Sequence, residues 1–228
     1  MKPLDKLITK IDPLFKSPAF DAAKLPAGMK VAPAHRELLE KRNGGYYFGG
    51  ALHVLGTCTE PAFHSLTAWN DPNGWRAAYG EAVEGLFFFA EDAFGDQFGL
   101  DSEGKVFVLR SEPGVVEEIA DDFDQWLLMA VEAPDELLSR EMFIDWVKVH
   151  GHLPHGSHLQ AFPPFVFETE QVEIDVVDSF ENMAFHASLA QTLQTLPEGM
   201  QIEITDEGIQ VVPGEEEPAE ETPAEPQE

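Results

Sequence analysis

The chain has 228 residues, of which 43% are hydrophobic and 11% aromatic, and this composition argues against intrinsic disorder and for one large domain or one domain with an appended unit. The formal net charge of -28 argues against nucleic acid or an anionic membrane as partner, because binding to either needs clustered Lys and Arg. A single cysteine, Cys58, excludes an internal disulfide.

The N-terminal part of the chain is predicted to contain two helices and two short strands. Residues 1–24 form a helical leader, in which apolar residues have helical spacing until Pro13 ends the helix. A second helix is expected over Pro33–Arg42, and the following Asn-Gly-Gly sequence ends it, since glycine adopts the left-handed conformation of helix C-termini. Tyr46–Phe48 and Ala51–Leu55 are predicted as strands joined by a Gly-Gly turn.

The middle of the chain completes a predicted core domain over residues 25–131. Leu86–Ala90 is a continuous apolar run, which indicates a central strand covered on both faces. Gln97–Leu100 and Val106–Leu109 flank a turn sequence and are expected to form a hairpin beside it. Val115–Val131 is predicted as one amphipathic helix, because its apolar residues recur at steps of three and four.

The C-terminal part, residues 132–213, is predicted as an α/β extension packed on the core. Its expected elements in chain order are a helix over Glu136–Val149, a loop over His150–Pro164, a strand over Val172–Val177, a helix over Ser179–Leu196 with Ser179 as N-cap, and a hairpin of Gln201–Thr205 and Ile209–Val212. Residues 214–228 contain seven Glu and no basic residue, so a disordered acidic tail is expected.

Charge and hydropathy also indicate the cellular location of the protein and the kind of partner that it binds. Without the tail the net charge is still -21, which favours a basic partner, although acidity of this size also serves solubility. The sequence has no apolar run of the length of a secretory signal or of a membrane span. We therefore expect a cytoplasmic protein.

Five acidic residues around the central strand and hairpin form the first candidate binding group, namely Glu91, Asp92, Asp96, Asp101 and Glu103. Their spacing does not fit a calcium-binding loop. Two interpretations remain open: an acidic patch that contacts a basic partner, or a solvated rim that caps the strands.

Four aromatic residues near irregular segments form the second candidate group, namely Tyr46, Tyr47, Trp69 and Trp75. Aromatic side chains often anchor protein–protein interfaces, and they are still commoner in cores. Both interpretations stay open for these four residues.

The histidines offer the only pattern that suggests a metal, and it is a weak one. His150, His152, His155 and His158 lie in a Gly/Pro-rich segment without the helical His pair or the Cys ligands of structural zinc sites. We expect a solvated loop here, with no metal and no cofactor. Cys58 with His53 or His64 is a nucleophile–base pair by proximity in sequence alone, and an incidental thiol is the preferred interpretation. No catalytic residue is predicted.

Several short motifs follow one another in a fixed order along the core domain. They are Leu38-Leu39, Asn43-Gly44-Gly45, Phe87–Glu91, Phe94-Gly95, Phe98-Gly99-Leu100-Asp101 and Ile119–Leu127. In this order the chain resembles the SUKH superfamily (the Smi/Knr type) over about residues 25–131.

The resemblance implies an α+β fold, with an antiparallel-rich sheet packed against helices, and no enzyme chemistry. Bacterial members are inferred to be immunity proteins that bind toxins. The expected function is therefore an immunity protein that neutralises a basic toxin by occlusion, without nucleic acid or membrane as partner. The alternative is a scaffold or regulatory interaction protein with no toxin partner.

Overall fold

The computed structural model describes residues 1–167, 169, 171–198, 200–205 and 208–213. Its centre is a six-stranded sheet in which every neighbouring pair is antiparallel and the strands follow chain order. The strands are β1 (Gly45–Tyr47), β2 (Leu52–Val54), β3 (Phe87–Asp92), β4 (Gln97–Leu100), β5 (Val106–Arg110) and β6 (Val115–Ala120). The predicted α+β class is therefore confirmed.

The helices of the described residues pack around this sheet. They are α1 (Pro3–Ile8), α2 (Pro33–Lys41), α3 (Leu66–Trp69), α4 (Arg76–Tyr79), α5 (Phe123–Glu132), α6 (Pro134–Leu138), α7 (Arg140–His150) and α8 (Ser179–Thr195). Shorter 3-10 turns lie at Ala22–Lys24, Phe48–Gly50, Ala62–His64 and Gly80–Val83. In the described part of the chain, no helix is long and apolar enough to cross a membrane.

Strand β3 is covered on both faces, as the apolar run predicted. Phe88 and Phe89 point to opposite faces, because side chains alternate along a strand, and both are fully buried. Phe88 packs against Trp75, with ring centroids 5.3 Å apart, and Phe89 packs edge-on against Trp126 at 4.8 Å. The hydrophobic core thus extends from α4 through the sheet to α5.

The largest correction concerns Val115–Val131, which is not one helix. Its first six residues form β6, and α5 begins only after Asp122, whose side chain accepts a hydrogen bond from the N–H of Gln125. A bulge in the β5–β6 pairing falls at Ile119, so Val116 and Ile119 both pack on the core although they are three residues apart. This spacing imitates a helix, whereas the β-branched residues favour the strand.

The two edges of the main sheet differ. The N-terminal segment covers β1: the Asp12 N–H donates to Tyr46 O at 2.7 Å, and Ile11 forms a bridge with Tyr47. No other strand pairs with the outer edge of β6 within the described residues. The backbone of β6 is therefore the edge of this sheet to which a further strand could be added.

The C-terminal part adds two hairpins and helix α8. The hairpins pair β7 (Ser157–Phe162) with β8 (Glu173–Asp178) and β9 (Met200–Thr205) with β10 (Gly208–Pro213). Helix α8 joins the main core through Met183, Ala187 and Ala190, all at most 1% exposed. Helix α8 therefore packs against α4 as well as the two hairpins of the C-terminal part.

Three C-terminal predictions need correction. The helix expected over Glu136–Val149 is two helices, α6 and α7, separated at Ser139, which has a positive φ of 47°. The loop expected over His150–Pro164 contains strand β7 from Ser157 onward. The N-cap of α8 is Asp178 and not Ser179, since the Asp178 side chain accepts hydrogen bonds from two N–H groups of the first turn. Residues 214–228, the predicted tail, lie outside the described residues.

Candidate functional site

The Glu91 side chain is buried and contacts several polar residues of the interior. It is therefore not part of a surface patch, which corrects the expectation that the acidic candidates lie at the surface. It lies on β3, directly between His53 of β2 and Gln97 of β4 in the strand register. Glu91 Oε1 is 2.8 Å from His53 Nδ1, and Oε2 accepts from Gln97 Nε2 at 3.0 Å. His158 of β7 brings Nε2 to 3.3 Å from the same oxygen. The side chains of Glu91, His53 and His158 are 3% exposed, so no solute reaches them.

A chain of hydrogen bonds leads from Glu91 to the loop before β1. His64 Nε2 lies 2.8 Å from Asn43 O, which only accepts, so this nitrogen donates. His64 Nδ1 then accepts from His53 Nε2 at 2.8 Å. The remaining His53 nitrogen and the Glu91 carboxylate consequently share one proton, and the pair is neutral overall whichever atom carries it.

The ionisation of these groups follows from burial and their contacts. Burial lowers the pKa of His64 to about 3, which keeps its imidazole neutral as the hydrogen-bond chain requires. Burial acts to raise the pKa of Glu91, but the nearby His158 and His53 outweigh it and hold the pKa at about 2. The contacts of His53, His64, Glu91 and His158 thus connect β2, β3 and the loop before β1 to β7 of the C-terminal part.

Asp92, Asp96 and Asp101 serve mainly to shape turns. Asp92 is 2% exposed, and its Oδ1 accepts hydrogen bonds from three successive N–H groups of the β3–β4 turn. Asp101 Oδ1 does the same in the β4–β5 turn. Asp96 is half-buried and fixes the end of β5, where Arg110 Nη1 donates to its Oδ2 at 2.8 Å. Of the five predicted acids, only Glu103 is exposed, whereas Asp96 and Asp101 are half-buried.

The four aromatic candidates all lie in the interior, with Trp75 the most exposed at 7%. Trp69 Nε1 donates to Gln97 Oε1 at 2.7 Å, and the Tyr46 hydroxyl accepts from the Gly156 N–H at 2.8 Å. Tyr47 is fully buried. Their packing and hydrogen bonds correspond to the core interpretation, and the structure does not bring these aromatics to one accessible surface with the acids.

A different acidic surface is present at β6 and the elements beside it. We call it the acidic edge, and it consists of Asp101, Glu103, Glu117, Glu118, Asp121, Asp122 and Asp124. All but the half-buried Asp101 are exposed. Residues 101–124 hold eight acidic and two basic residues, a net charge of -6.

The two bases of this segment are already paired. Lys105 Nζ lies 2.9 Å from Glu118 Oε2, and Arg110 Nε lies 3.5 Å from Glu117 Oε2. The pKa of Lys105 is raised first by its hydrogen bond to Glu118 and further by the charges of Glu103 and Asp121, so these acids act on one point of the surface. Most of the acidic edge was not predicted as a surface, because a helix was expected over Val115–Val131. In a strand, the charges of β6 instead line an unpaired sheet edge.

A cleft of about 360 Å³ lies between the end of β5, the α6–α7 junction and α8. Its lining includes Ser111, Glu112 and His186, none of which was singled out in the sequence. Ser111 Oγ is 2.9 Å from His186 Nδ1, and His186 Nε2 is 3.8 Å from Glu112 Oε1. Burial raises the pKa of Glu112 to about 7 and lowers that of His186 to about 3.

This Ser–His–Glu set does not have the geometry of a nucleophilic triad. A triad needs the imidazole hydrogen-bonded to both partners, and 3.8 Å is beyond hydrogen-bonding distance. Ser111 is 1% exposed, and the low pKa of His186 makes it a weak general base at neutral pH. Packing between α8 and the sheet accounts for the contacts of both residues.

Cys58 is likewise poorly placed for catalysis. It is 4% exposed, its Sγ contacts Pro61 O at 3.7 Å, and burial raises the pKa of the thiol, which disfavours the reactive thiolate. His53 and His64 are hydrogen-bonded to each other and form no hydrogen bond with the sulfur.

The structure separates the four histidines of the 150–158 segment. His158 is buried beside Glu91, and His150 stacks on Trp146 at 4.7 Å. His152 and His155 converge on Asp12, with Nε2 distances of 2.7 Å and 2.9 Å to its Oδ2. Their partner lies 140 residues earlier in the chain, and no local spacing could have indicated it.

Comparison with known proteins agrees with this class of fold, a six-stranded antiparallel sheet with helices packed on it. Residues 21–129 match the model of the SMI1/KNR4 family (SUKH-1). This match agrees with the resemblance to the SUKH superfamily that the sequence motifs indicated, and that superfamily includes immunity proteins.

The chain is also similar to a solved structure, the crystal structure of Atu4351 from Agrobacterium tumefaciens. The two are 15% identical, with 81% of this chain and 84% of that chain covered and a TM-score of 0.48. No curated protein matches the sequence.

Proposed function

We propose that this protein is a bacterial immunity protein that acts in the cytoplasm and neutralises a basic toxin by binding and covering it at the acidic edge. The proposal needs no catalysis. The match of residues 21–129 to the SMI1/KNR4 family (SUKH-1) supports the class of function. The single observation that carries the choice of surface is the concentration of exposed carboxylates in β6 and the segments next to it, where no further strand of the described residues pairs with the outer edge of β6.

The electrostatic part of the proposal follows from the acidic edge, whose seven acidic residues together with Lys105 and Arg110 carry a formal net charge of -5. Such a field attracts a cationic partner over a Debye length of roughly 8 Å at physiological salt and raises the association rate by about 10- to 1000-fold. Because Lys105 and Arg110 are already paired with Glu118 and Glu117, they do not repel an incoming cation strongly. The partner's Lys and Arg would meet the remaining carboxylates.

The backbone of β6 supplies the second part. An unpaired strand edge presents N–H and C=O groups that an extended segment of a partner can pair with. Val115, at the start of β6, is 47% exposed and adds an apolar contact. The proposed complex is therefore a basic strand laid along β6, with steering by charge and retention by main-chain hydrogen bonds.

The test compares two variants with equal charge changes. Glu117→Lys/Asp124→Lys alters the acidic edge, and Glu136→Lys/Glu141→Lys alters exposed residues of α6 and α7. Asp124, Glu136 and Glu141 all lie in first turns of helices, so the control variant bears a helix-dipole cost at least as large as that of the acidic-edge variant. Each protein is used as bait in lysate of the organism that encodes the chain, and retained proteins are identified by mass spectrometry.

We expect the natural protein and the α6–α7 variant to retain a cationic protein that the acidic-edge variant loses. Adding one equivalent of the natural protein should abolish the toxic activity of the retained protein. A retained protein without toxic activity would favour the scaffold function. Equal retention by both variants would refute the acidic edge as the binding surface.

A further inference from the structure

A cluster of one carboxylate and two imidazoles lies where the N-terminal segment meets the segment before β7. Asp12 follows α1 and is held by its backbone, since its N–H donates to Tyr46 O, and by its Oδ1, which accepts from the Leu14 N–H at 2.8 Å. The second oxygen, Oδ2, points at His152 and His155. The side chain of Asp12 is 6% exposed.

The two histidines are positioned by the protein around this oxygen. His155 stacks on Tyr46, with ring centroids 4.5 Å apart, and Tyr46 is anchored by its hydrogen bond from Gly156. The His152 ring stands nearly perpendicular to the His155 ring at 5.2 Å. One ligand atom from each of the three side chains lies within 4.8 Å of the other two.

From this geometry, we propose that Asp12, His152 and His155 form a binding site for a divalent cation of the zinc type. Two imidazole nitrogens and one carboxylate oxygen are ligands that zinc and its neighbours accept. Bonds of about 2.0–2.1 Å in tetrahedral geometry place ligand atoms about 3.3 Å apart. The separations of 2.7 Å and 2.9 Å need to widen by only about half an ångström, which small ring movements supply.

The site is accessible and leaves a position for water. The side chain of His152 is 41% exposed and that of His155 is 22% exposed, so a cation enters from solvent along the His152 side. Three protein ligands leave a fourth tetrahedral position for a water molecule. Without a cation, the two imidazoles donate to Asp12 in the same arrangement.

Cation binding would tie the two ends of the domain together. Asp12 belongs to the segment that covers the edge of β1, and His152 and His155 precede β7. A ligand that binds the folded state alone stabilises it, and the stabilisation rises with the logarithm of the ligand concentration once that concentration exceeds the Kd. Zinc would therefore strengthen the attachment of the N-terminal segment to the core.

The test uses full-length protein without a histidine tag. Zinc is the probe, and its binding is measured by isothermal titration calorimetry. We expect one zinc per chain, a higher melting temperature with zinc than with EDTA, and d–d absorption bands on binding of Co²⁺. Asp12→Asn, His152→Ala and His155→Ala should each weaken zinc binding by at least about tenfold. His150→Ala is the matched control, because His150 contacts Trp146 and not the cluster, and it should bind zinc normally.

Circular dichroism establishes that each variant is folded before titration. Asp12→Asn preserves the shape of the side chain, so it separates loss of a ligand from loss of the fold. Weak binding of several zinc ions, or one tight site that survives both Asp12→Asn and His155→Ala, would overturn the proposal. The absence of any zinc-dependent change in melting temperature would overturn it as well.

Discussion

His53 and Glu91 face each other across the β2–β3 pairing, with 2.8 Å between Nδ1 of the histidine and Oε1 of the glutamate. The hydrogen bonds on both sides of this pair fix one shared proton between them. The pair therefore carries no net charge, and the low pKa of Glu91 places the shared proton on the His53 side. This property determines which substitutions the interior can accept.

We expect Glu91→Gln to be tolerated and Glu91→Ala to be severe. The amide of Gln donates to neutral His53 and accepts from Gln97, so the cost should stay below about 1.5 kcal/mol. Alanine leaves His53 Nδ1 without its buried partner and removes one acceptor of Gln97 Nε2, and it should cost about 3–5 kcal/mol. Urea unfolding measures both, with Glu103→Ala as an exposed control that changes stability by less than about 0.5 kcal/mol. Equal destabilisation by Gln and Ala would refute the shared proton.

His35 should make the protein sensitive to acid. It is fully buried between Phe89 and Phe123, and in the described part of the chain neither ring nitrogen has a hydrogen-bond partner. Burial lowers its pKa to about 3, so the unfolded state, with a pKa of about 6.5, binds the proton more tightly. Stability is thus lost as pH falls below about 6.5, by roughly 2 kcal/mol at pH 5.

The measurement is urea unfolding of the natural protein and His35→Phe between pH 7 and pH 5. Phenylalanine keeps the stacking on Phe123 and cannot be protonated, so the variant should lose less stability over this range. The exposed control His150→Phe should follow the natural protein. Parallel pH profiles for His35→Phe and the natural protein would contradict the argument.

Glu112 should act in the opposite direction. Its pKa of about 7 lies above the usual value of 4.5, since burial outweighs the hydrogen bond from the Val166 N–H. The folded state therefore binds the proton more tightly than the unfolded state between about pH 4.5 and 7. The stabilisation is complete below that range and is lost as pH rises through about 7, by roughly 2–3 kcal/mol in total.

Glu112→Gln isolates this effect, because the amide oxygen can still accept from Val166. The difference in unfolding free energy between Glu112→Gln and the natural protein should shift in favour of the variant as pH rises from 5 to 8. Subtracting the two profiles removes the contributions of the histidines. A difference that does not change with pH would show that Glu112 titrates normally.

The sequence predicted elements that local pattern determines. The apolar run at Leu86–Ala90 predicted the central strand, and the turn at Asp101 predicted the hairpin. Helix α2 was also predicted, although it ends at Lys41 with an extended Arg42 and not on a left-handed glycine.

The prediction of a helix was wrong for β6, because a bulge at Ile119 produces a spacing of apolar residues that resembles the helical period. The surface placement of Glu91 was wrong as well, because an acidic residue is expected at the surface unless its partners are known. His53 is 38 residues away from Glu91, and pairing at this distance leaves no local signal.

The acidic edge is tested most directly by the association rate with the cationic protein that the natural chain retains, measured by surface plasmon resonance at low and high salt. We predict that the rate falls steeply as salt rises, and that Glu117→Lys/Asp124→Lys is slow and nearly insensitive to salt. Glu136→Lys/Glu141→Lys should keep most of the rate and its salt dependence. An association rate that is independent of salt, or equal rates for the two variants, would contradict the proposal.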